Sequence, residues 1–476
     1  MTRSAPPQSD ASARPTVCIQ GLGFVGSAMA VATASARDDR GRPRFEVIGL
    51  DLPSAAGQQR IDALRRGEFP FGTSDPNLIA ATEAAKSAGN LDATSDPAVI
   101  ASADVVVVDV HLDVQTAAEP PRADLEPFRA AIRMVGEHLR PGGLVVVETT
   151  VPPGTCERVV APELAAAFRR RGLPEDGFLL AHSYERVMPG ENYLASITNF
   201  WRVYSGHTPE AADACERFLE QIINVRDFPL TRLAHTTATE TAKVMENSYR
   251  AANIAFIEEW SRFATAVGID LFEVIEAIRM RPTHSNMRQP GFGVGGYCLT
   301  KDPLFPIVAA RQLFERPDLD FPFARLTTAT NARMPLATVE RTEQVLGGLE
   351  GKRLALLGVT YRQDVADTRY SPARVFVEEA RRRGASVVVS DPLVSWWPEL
   401  ELPVEPTLPP AEAVDAVIFA VPHHEVLGLD LEKWLGNSGT AVIDANDVLT
   451  PVQREAVRKA GCPFAKIGRG EREMQQ

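Results

Sequence analysis

The sequence has 476 residues and a formal net charge of −12, and a chain of this length is expected to form two or three domains. Its hydrophobic fraction of 45% and charged fraction of 24% are typical of a globular protein. The acidic balance argues against a non-specific nucleic-acid-binding protein, although a small anionic ligand would sense only the local field. No apolar run approaches the roughly 20 residues that span a bilayer, so no membrane segment is expected.

The N-terminal residues and the cysteines indicate a cytoplasmic protein. Met1–Arg14 is small and polar, which predicts a disordered tail and not a signal peptide. Five cysteines are scattered without a CxxC pair, which favours a reducing compartment and no disulfide framework. The four in apolar or helical surroundings are expected to be buried. These four are Cys18, Cys156, Cys215 and Cys462.

The first part of the chain alternates predicted strands and helices. Thr16–Gln20 and Phe45–Asp51 are strand-like. Two near-continuous valine runs, Ala103–Val110 and Gly143–Thr150, predict parallel strands covered on both faces. The helical stretches between these strands indicate a doubly wound sheet.

The pattern changes after this α/β part. Ala234–Val267 is helical, without Gly or Pro, and is followed by the Gly-rich segment Gly291–Pro303. The βα pattern then restarts, with strand candidates at Lys352–Leu357, Ala385–Ser390, Ala413–Val421 and Thr440–Ala445. We predict an α/β fold with two Rossmann-like doubly wound domains joined by a helical middle domain with a long central helix. The predicted domains are the tail (1–14), a cofactor domain (15–210), the helical middle domain (211–325) and a second Rossmann-like domain (326–476).

A glycine-rich turn predicts the cofactor site. Gly21, Gly23 and Gly26 form G-x-G-x-x-G between a strand and a helix, which lets a pyrophosphate approach the backbone at a helix N-terminus. Asp51 ends the next strand, where a carboxylate accepts bonds from ribose hydroxyls and favours NAD over NADP. A structural turn in a flavodoxin-like sheet is the alternative, and Asp51 speaks against it. The predicted cofactor contacts are Gly21, Gly23, Phe24, Val25, Gly26 and Asp51.

The segment Gly291–Asp302 (GFGVGGYCLTKD) is the most informative stretch for chemistry. Its glycines suit a backbone that wraps closely around a ligand. If a helix begins near Tyr297, Asp302 projects back toward Cys298, and the helix dipole with Lys301 would lower the thiol pKa. The alternative is a buried cysteine at a helix start beside a surface Lys–Asp pair, and the segment alone does not separate the two.

Several motifs in order along the chain resemble the UDP-glucose/GDP-mannose dehydrogenase family, with its N-acetylhexosamine branch. They run from Thr16 almost to the C-terminus and are specific to that family. The motifs are GLGFVG, RIDALRRGEFPF, ETTVPPGT (Glu148–Thr155), YERVMPG (Tyr184–Gly190), ETAKVMENSYRAANIAF (Glu240–Phe256), GFGVGGYCLTKDP, GVTYRQDVADTRYSPA (Gly358–Ala373), AVPHHE (Ala420–Glu425) and IGRG (Ile467–Gly470).

The resemblance implies a four-electron oxidation of a nucleotide sugar at its primary alcohol, with two NAD⁺ per sugar. Cys298 is then the nucleophile that forms a hemithioacetal and a thioester, chemistry well suited to a thiolate. Asp302 resembles the family's acid/base and water-positioning aspartate. Thr150 matches a threonine that positions water near the nicotinamide, so the resemblance adds Thr150 to the predicted cofactor contacts. The family also implies a homodimer or a dimer-based oligomer.

The other implied roles lie on the middle helix and in a loop. Lys243 and Asn247 are four residues apart and thus on one helical face, and the resemblance implies that they hold the developing oxyanion. Glu185 matches the glutamate assigned to thioester hydrolysis. Without the resemblance, Lys243 and Glu185 would be taken for surface charges.

The third domain resembles a UDP-binding domain, in which Arg369 and Arg362 would bind phosphate through their planar guanidinium groups. His423 and His424 are expected to be structural, and no metal is predicted because no third ligand is suitably spaced. The predicted substrate-binding residues are Glu185, Arg186, Lys243, Asn247, Arg250, Gly293, Gly295, Arg362 and Arg369.

Three departures from the family pattern weaken any assignment of the sugar. The usual Pro-Thr-Pro after the fourth strand is His111-Leu112-Asp113, the usual Pro before the hydrolytic Glu is Tyr184, and the third-domain lysine is Arg362, with Ala366 replacing an acid nearby. The motif after Glu185 favours the N-acetylhexosamine branch, whereas Lys301 is typical of the glucose branch. The expected order is a UDP-N-acetylhexosamine or related UDP-sugar, then UDP-glucose, then GDP-mannose.

Two other classes of function compete with this prediction. A two-electron β-hydroxyacid dehydrogenase also joins a Rossmann domain to helices, but it needs no cysteine. A nucleotide-sugar-binding scaffold without catalysis is disfavoured by the complete set of Cys298, Asp302, Lys243 and Asn247.

Overall fold

The computed structural model describes residues 14–116 and 118–470, which form two compact units. The first unit runs through Lys243 and takes in Val308–Arg316, and the second comprises Val244–Ile307 and the chain from Pro317. Apart from Arg14, the predicted disordered tail lies outside the described residues.

The first unit is built on a mainly parallel sheet. Its described strands, numbered β1 to β8, are Thr16–Gln20, Glu46–Leu50, Leu91–Thr94, Val105–Val108, Leu144–Val147, Leu179–His182, Val203–Gly206 and Thr231–Arg232. Their order is β3-β2-β1-β4-β5-β6-β7-β8. Strands β1 to β6 are parallel to one another, and β7 runs antiparallel to β6.

The helices of this unit alternate with the strands as predicted. They are α1 (Phe24–Ser35), α2 (Ala55–Arg66), α3 (Pro76–Ser87), α4 (Glu126–His138), α5 (Ala161–Arg170), α6 (Ala195–Thr198) and α7 (Pro209–Leu219). The two valine-rich strands β4 and β5 are buried along their whole length, because helices cover both faces of a doubly wound sheet.

The strand register aligns the carboxyl ends of five neighbouring strands. Gln20 pairs with Leu50 on one side and with Val108 on the other. Val108 pairs with Val147, which in turn pairs with His182. The residues that follow these strand ends therefore lie at one edge of the sheet, where doubly wound folds bind their ligands.

The second unit begins with helices. Helix α8 (Thr236–Val267) starts in the first unit and continues in the second, and it agrees with the helix predicted over Ala234–Val267. The next helices are α9 (Leu271–Arg279), α10 (Tyr297–Lys301), α11 (Phe305–Val308) and α12 (Pro322–Leu346).

A second parallel sheet follows. The described strands are β9 (Arg353–Leu357), β10 (Ser386–Ser390), β11 (Trp396–Trp397), β12 (Leu402–Pro403), β13 (Ala416–Phe419), β14 (Ala441–Asp444) and β15 (Phe464–Lys466). The helices are α13 (Ala373–Arg382), α14 (His424–Leu427), α15 (Leu431–Leu435) and α16 (Pro451–Lys459). The sheet order is β10-β9-β13-β14-β15. Leu354 and Leu356 of β9 join one apolar core and Ala355 and Leu357 join another, so both faces of this sheet are covered.

The predicted fold class is confirmed: along the chain, a mainly parallel doubly wound sheet comes first, a helical segment with the long helix α8 follows, and a second, parallel doubly wound sheet comes last. The predicted strands end within a few residues of the observed ones. The exact domain boundaries stay a prediction. In the part of the chain that the structure describes, no helix is long and apolar enough to cross a membrane.

Candidate active site

The glycine turn after β1 has the geometry that a dinucleotide requires. Gly21 has a φ of 96°, and a Cβ on Gly26 would lie 1.9 Å from the Gly21 carbonyl oxygen. Gly23, in contrast, is exposed and has no atom within 4 Å of a Cβ position. Among the described residues no side chain caps α1 at Gly23, so the first N–H groups of this helix are available to a pyrophosphate. The residues present fit an NAD pyrophosphate.

Asp51 lies beside this turn and is held in place by three donors. Its Oδ1 accepts from the Leu52 N–H at 2.7 Å, and its Oδ2 accepts from the Leu22 N–H at 3.3 Å and from Arg60 Nε at 2.7 Å. A carboxylate has about four acceptor positions, so one remains for a ribose hydroxyl.

Phe24 and Val25, the other predicted cofactor contacts, open α1 and are half-buried. The Phe24 ring stacks on Phe71 with 4.0 Å between centroids, and the Tyr193 hydroxyl donates to the Phe24 carbonyl at 2.6 Å. These contacts fix the start of the helix that faces the pyrophosphate position.

Glu185 and Lys243 form a buried pair within the first unit. Lys243 Nζ lies 2.8 Å from the Glu185 carbonyl oxygen and 3.2 Å from Glu185 Oε1. The pair is only 8% and 6% exposed, unlike the surface charges that these residue types usually provide. The Lys243 ammonium also lies 5.6 Å from the ring centre of Tyr184, a cation–π distance. The Tyr184 departure thus contributes to the surroundings of Lys243.

Three further charged residues at this edge were missed by the sequence analysis. Asp109 follows β4, Glu148 follows β5, and Arg202 precedes β7. Glu148 and Arg202 form a salt bridge that is almost wholly buried. An acid directly after each valine run was the available signal, whereas nothing near Arg202 in the sequence indicated a buried partner.

Thr150 is half-buried two residues after Glu148. Its neighbour Thr149 donates to the Val108 and Val110 carbonyls at 3.1 and 2.9 Å. Further along this loop, the Gly154 and Cys156 N–H groups donate to the buried Glu240 carboxylate of α8 at 2.5 and 2.7 Å. The loop that carries Thr150 is therefore anchored at both ends.

In the second unit, Cys298 is exposed at the start of α10, whereas the other four cysteines are buried. The four were expected to be buried, and this prediction is confirmed. The pKa of the Tyr361 phenol is raised to about 12, first by burial, then by the charge of Asp367 and then by the charge of Cys298. The Cys298 thiol therefore lies close to Tyr361.

Asp302 accepts hydrogen bonds at both of its carboxylate oxygens. Asn247 Nδ2 lies 2.7 Å from Oδ2, and Lys301 Nζ lies 2.8 Å from Oδ1. All three residues are at most 5% exposed. The alternative interpretation of this segment, a buried cysteine beside a surface Lys–Asp pair, is wrong on both counts, since the thiol is exposed and the Lys–Asp pair is buried.

The glycines before Cys298 have a packing role within the second unit. A Cβ on Gly293 would lie 2.5 Å from Pro372 Cβ, and one on Gly295 would lie 2.6 Å from Tyr361 Cβ. Protein atoms therefore occupy the space that side chains would need at these positions. Substrate contact by Gly293 and Gly295 stays a prediction.

The predicted substrate-binding arginines differ in their surroundings. Arg369 makes a bidentate pair with Asp367, at 2.8 and 2.7 Å, and its guanidinium lies 4.5 Å from the centre of the Tyr297 ring. Arg362 and Arg250 are exposed, and Arg186 donates to the Trp201 carbonyl at 2.5 Å.

His423 is structural in character, as expected. It is fully buried, and its Nδ1 accepts from the Asp364 N–H at 3.0 Å. The ring proton is therefore on Nε2, which donates to Asp391 Oδ2 at 3.2 Å. Within residues 14–116 and 118–470, no three His, Cys, Asp or Glu side chains are grouped as a metal site would need.

Comparison with known proteins identifies the family. The chain matches the UDP-glucose/GDP-mannose dehydrogenase family in its NAD binding domain over residues 15–223, its central domain over 237–333 and its UDP binding domain over 355–451. The chain belongs to this family. It is an NAD-dependent nucleotide-sugar dehydrogenase, and the resemblance found in its motifs is confirmed.

Individual relatives are similar along almost the whole chain. A UDP-N-acetyl-D-mannosamine dehydrogenase of Pyrococcus horikoshii is 30% identical over 464 residues, which cover 96% of this chain and 99% of the relative. An NDP-N-acetyl-D-galactosaminuronic acid dehydrogenase of Ralstonia nicotianae is 29% identical, covering 88% and 93% of the two chains. Among solved structures, a UDP-glucose dehydrogenase from Pyrobaculum islandicum superimposes with a TM-score of 0.77 at 26% identity, covering 95% and 98%.

Proposed function

We propose that this dehydrogenase oxidises a UDP-N-acetylhexosamine, or a related UDP-sugar, at its primary alcohol to the uronate through a thioester on Cys298. The observation that carries this proposal is the contrast among the cysteines. Cys298 alone of the five is exposed, and it lies four residues before the buried Asp302. UDP-glucose is the second candidate and GDP-mannose the third. The uronate product would suit polysaccharide biosynthesis.

The overall reaction consumes one alcohol, two NAD⁺ and one water, and it yields one carboxylate, two NADH and three protons. NAD, when bound, supplies the acceptor for each hydride. The Cys298 thiolate adds to the intermediate aldehyde, and the resulting hemithioacetal is oxidised to a thioester that water hydrolyses. Asp302 serves as the acid/base group for this thiol chemistry.

The buried polar pairs suit the remaining roles. Lys243 and Asn247 provide an ammonium and an amide N–H₂ to stabilise the alkoxide and the oxyanion. Each already contacts an acid, Lys243 at Glu185 and Asn247 at Asp302. Glu185 activates the hydrolytic water, and Thr150 positions it. Arg369 and Arg362 bind the diphosphate, because guanidinium groups pair with phosphate oxygens through two donors, and Arg250 is a further substrate contact.

A panel of nucleotide sugars tests the substrate and the chemistry together. NADH release should be fastest with a UDP-N-acetylhexosamine, and two NADH should form per sugar consumed. Cys298→Ser should form no uronate while binding NAD normally, and Cys462→Ser, at a buried cysteine of the same unit, is the matched control. Uronate formation by Cys298→Ser at the wild-type rate would refute the thioester; a ratio of one NADH per sugar would refute the four-electron reaction.

We also propose that the enzyme is a homodimer that associates through α8. Apolar side chains recur along this helix at spacings of three, four or seven residues, which place them on one face, and they are between 41% and 64% exposed. These are Met245, Tyr249, Phe256, Trp260, Phe263 and Val267. An exposed apolar stripe of this kind is typical of a protein–protein contact, and a second copy of α8 would offer a complementary stripe.

A further inference from the structure

Asp109 lies at the point in the first sheet where the strand order reverses. The chain moves from β1 outward to β2 and β3, and then returns to place β4 on the other side of β1. In doubly wound folds the cofactor binds in the crevice outside the strand ends at this position. The Asp109 N–H donates to the Gln20 carbonyl at 2.8 Å, so Asp109 is fixed directly beside the glycine turn.

The Asp109 Cβ and carbonyl oxygen lie against the glycine turn. A Cβ on Gly26 would lie 3.1 Å from Asp109 Cβ, and one on Gly21 would lie 2.6 Å from the Asp109 carbonyl oxygen. Asp109 Oδ2 is buried and has no hydrogen-bond partner among the described residues. A buried polar atom without a partner in a ligand crevice points to a bond completed by the ligand.

The charges around Asp109 do not balance. The charges of Glu185 and Arg202, near the neighbouring strand ends, act on Asp109. Arg202 is paired with Glu148, and Glu185 is paired with Lys243. Three acids thus share two cations. Glu148 and Glu185 each have an ion pair with one of the two cations, which leaves Asp109 as the acid of the three without one among the described residues. An acid without an ion pair in a water-poor site favours its neutral form.

The pKa of Asp109 agrees with this excess of acids over cations. Burial, reinforced by the charge of Glu185 and opposed by Arg202, raises the pKa of Asp109 to about 8. His182, on β6, adds no positive charge, because burial and then the charge of Lys243 lower its pKa to about 3. The free protein therefore holds Asp109 mainly as the neutral acid at pH 7.

We propose that Asp109 is a redox-state-selective cofactor residue, which releases its proton to solvent when NAD⁺ binds, because the positive charge of the oxidised cofactor would stabilise the Asp109 carboxylate. NADH lacks that positive charge and leaves Asp109 protonated. The site therefore favours NAD⁺ over NADH, which aids exchange of the reduced cofactor between the two oxidations. The inference requires the NAD cofactor of the family and does not depend on which sugar is oxidised.

Proton release by the wild-type protein tests this directly. Isothermal calorimetry at pH 7, in two buffers that differ in ionisation enthalpy, counts the protons released per cofactor bound. We expect close to one proton for NAD⁺ and none for NADH. The NAD⁺ Kd should fall by up to about tenfold per pH unit between pH 6 and pH 8, while the NADH Kd stays constant. No proton release with NAD⁺, or equal release with both forms, would overturn the proposal.

Variants assign the proton to a residue. Asp109→Asn should abolish the proton release and weaken NAD⁺ binding at pH 8 by about tenfold or more, with NADH affinity unchanged. Asp113→Asn is the matched control, because Asp113 lies on the same loop with a side chain that is 46% exposed. Proton release that persists in Asp109→Asn, or an equal loss of affinity for both cofactor forms, would refute the assignment. Sugar oxidation is not needed for either measurement, so a wrong substrate assignment would leave the result interpretable.

Discussion

Asn247 donates a hydrogen bond from Nδ2 to Asp302 Oδ2 at 2.7 Å, and both side chains are buried. The bond joins α8 to the turn that follows α10, so the long helix orients the acid that follows the exposed cysteine. Lys301 completes the arrangement at the other oxygen of Asp302. Two residues predicted from separate motifs therefore form a single buried polar unit.

The buried ammonium of Lys301 should be essential for stability. Lys301→Met leaves Asp302 with an uncompensated charge, and removing one partner of a buried pair typically costs about 3–5 kcal/mol. Urea denaturation measures the loss. Lys352→Met is the control, since its pair with Asp415 is about one-third exposed and should cost below about 1 kcal/mol. Equal losses in the two variants would contradict the structural role of Lys301.

The exposure of Cys298 should make it the thiol that is modified in the native state. Iodoacetamide added to the folded protein should label Cys298 and leave the four buried cysteines unlabelled, because alkylation requires access to the thiolate. Intact-mass and peptide analysis would show one adduct when the protein is folded and five after unfolding in urea. Early labelling of Cys156 or Cys215 in the folded protein would contradict the observed burial.

Two glycine substitutions should separate binding from packing. Gly23→Ala places a methyl group in open space at the pyrophosphate position, so NAD affinity should fall at least about tenfold with little change in stability. Gly295→Ala forces a methyl group against Tyr361 and the Tyr370 carbonyl and should cost about 1–3 kcal/mol. Fluorescence titration with NADH and thermal denaturation measure the two effects. A strongly destabilised Gly23→Ala would contradict the open space seen there.

Asp109 should also affect the pH dependence of stability without any cofactor. The pKa of Asp109 in the folded protein is raised above its value in the unfolded chain. The contribution of Asp109 to the free energy of unfolding is therefore fully present at low pH, and it is lost as the pH rises toward 8. Asp109→Asn has no such loss. The Tm of the variant minus that of the wild type should increase between pH 5 and pH 9; a constant difference would contradict the raised pKa.

The apolar stripe on α8 predicts a change of oligomeric state on substitution. Trp260→Glu places a charge in the middle of the stripe, where a dimer would bury it, so the variant should sediment as a monomer with its fold retained. Leu319→Glu, at an apolar side chain of the same unit that is 42% exposed and outside α8, should leave the dimer intact. Sedimentation velocity distinguishes these outcomes, and a dimeric Trp260→Glu would exclude α8 as the contact.

Much of the fold was predictable because its signals are local. The valine runs at β4 and β5 predicted parallel strands buried on both faces, and the spacing of Gly21, Gly23 and Gly26 predicted a helix start open to phosphate. The identities of Cys298, Asp302, Lys243 and Asn247 came from motifs in order along the chain, and the family they indicated is the one to which the chain belongs.

The burial and partners of these residues depend on the tertiary structure. In sequence Glu148 and Arg202 are 54 positions apart, and Asn247 and Asp302 are 55 apart, so no local pattern connects them. The register of β1, β4, β5 and β6 brings Asp109, Glu148 and Glu185 to one edge, where desolvation makes their charges interact. Whether a charged side chain remains solvated or becomes part of a buried site is decided by what packs over it.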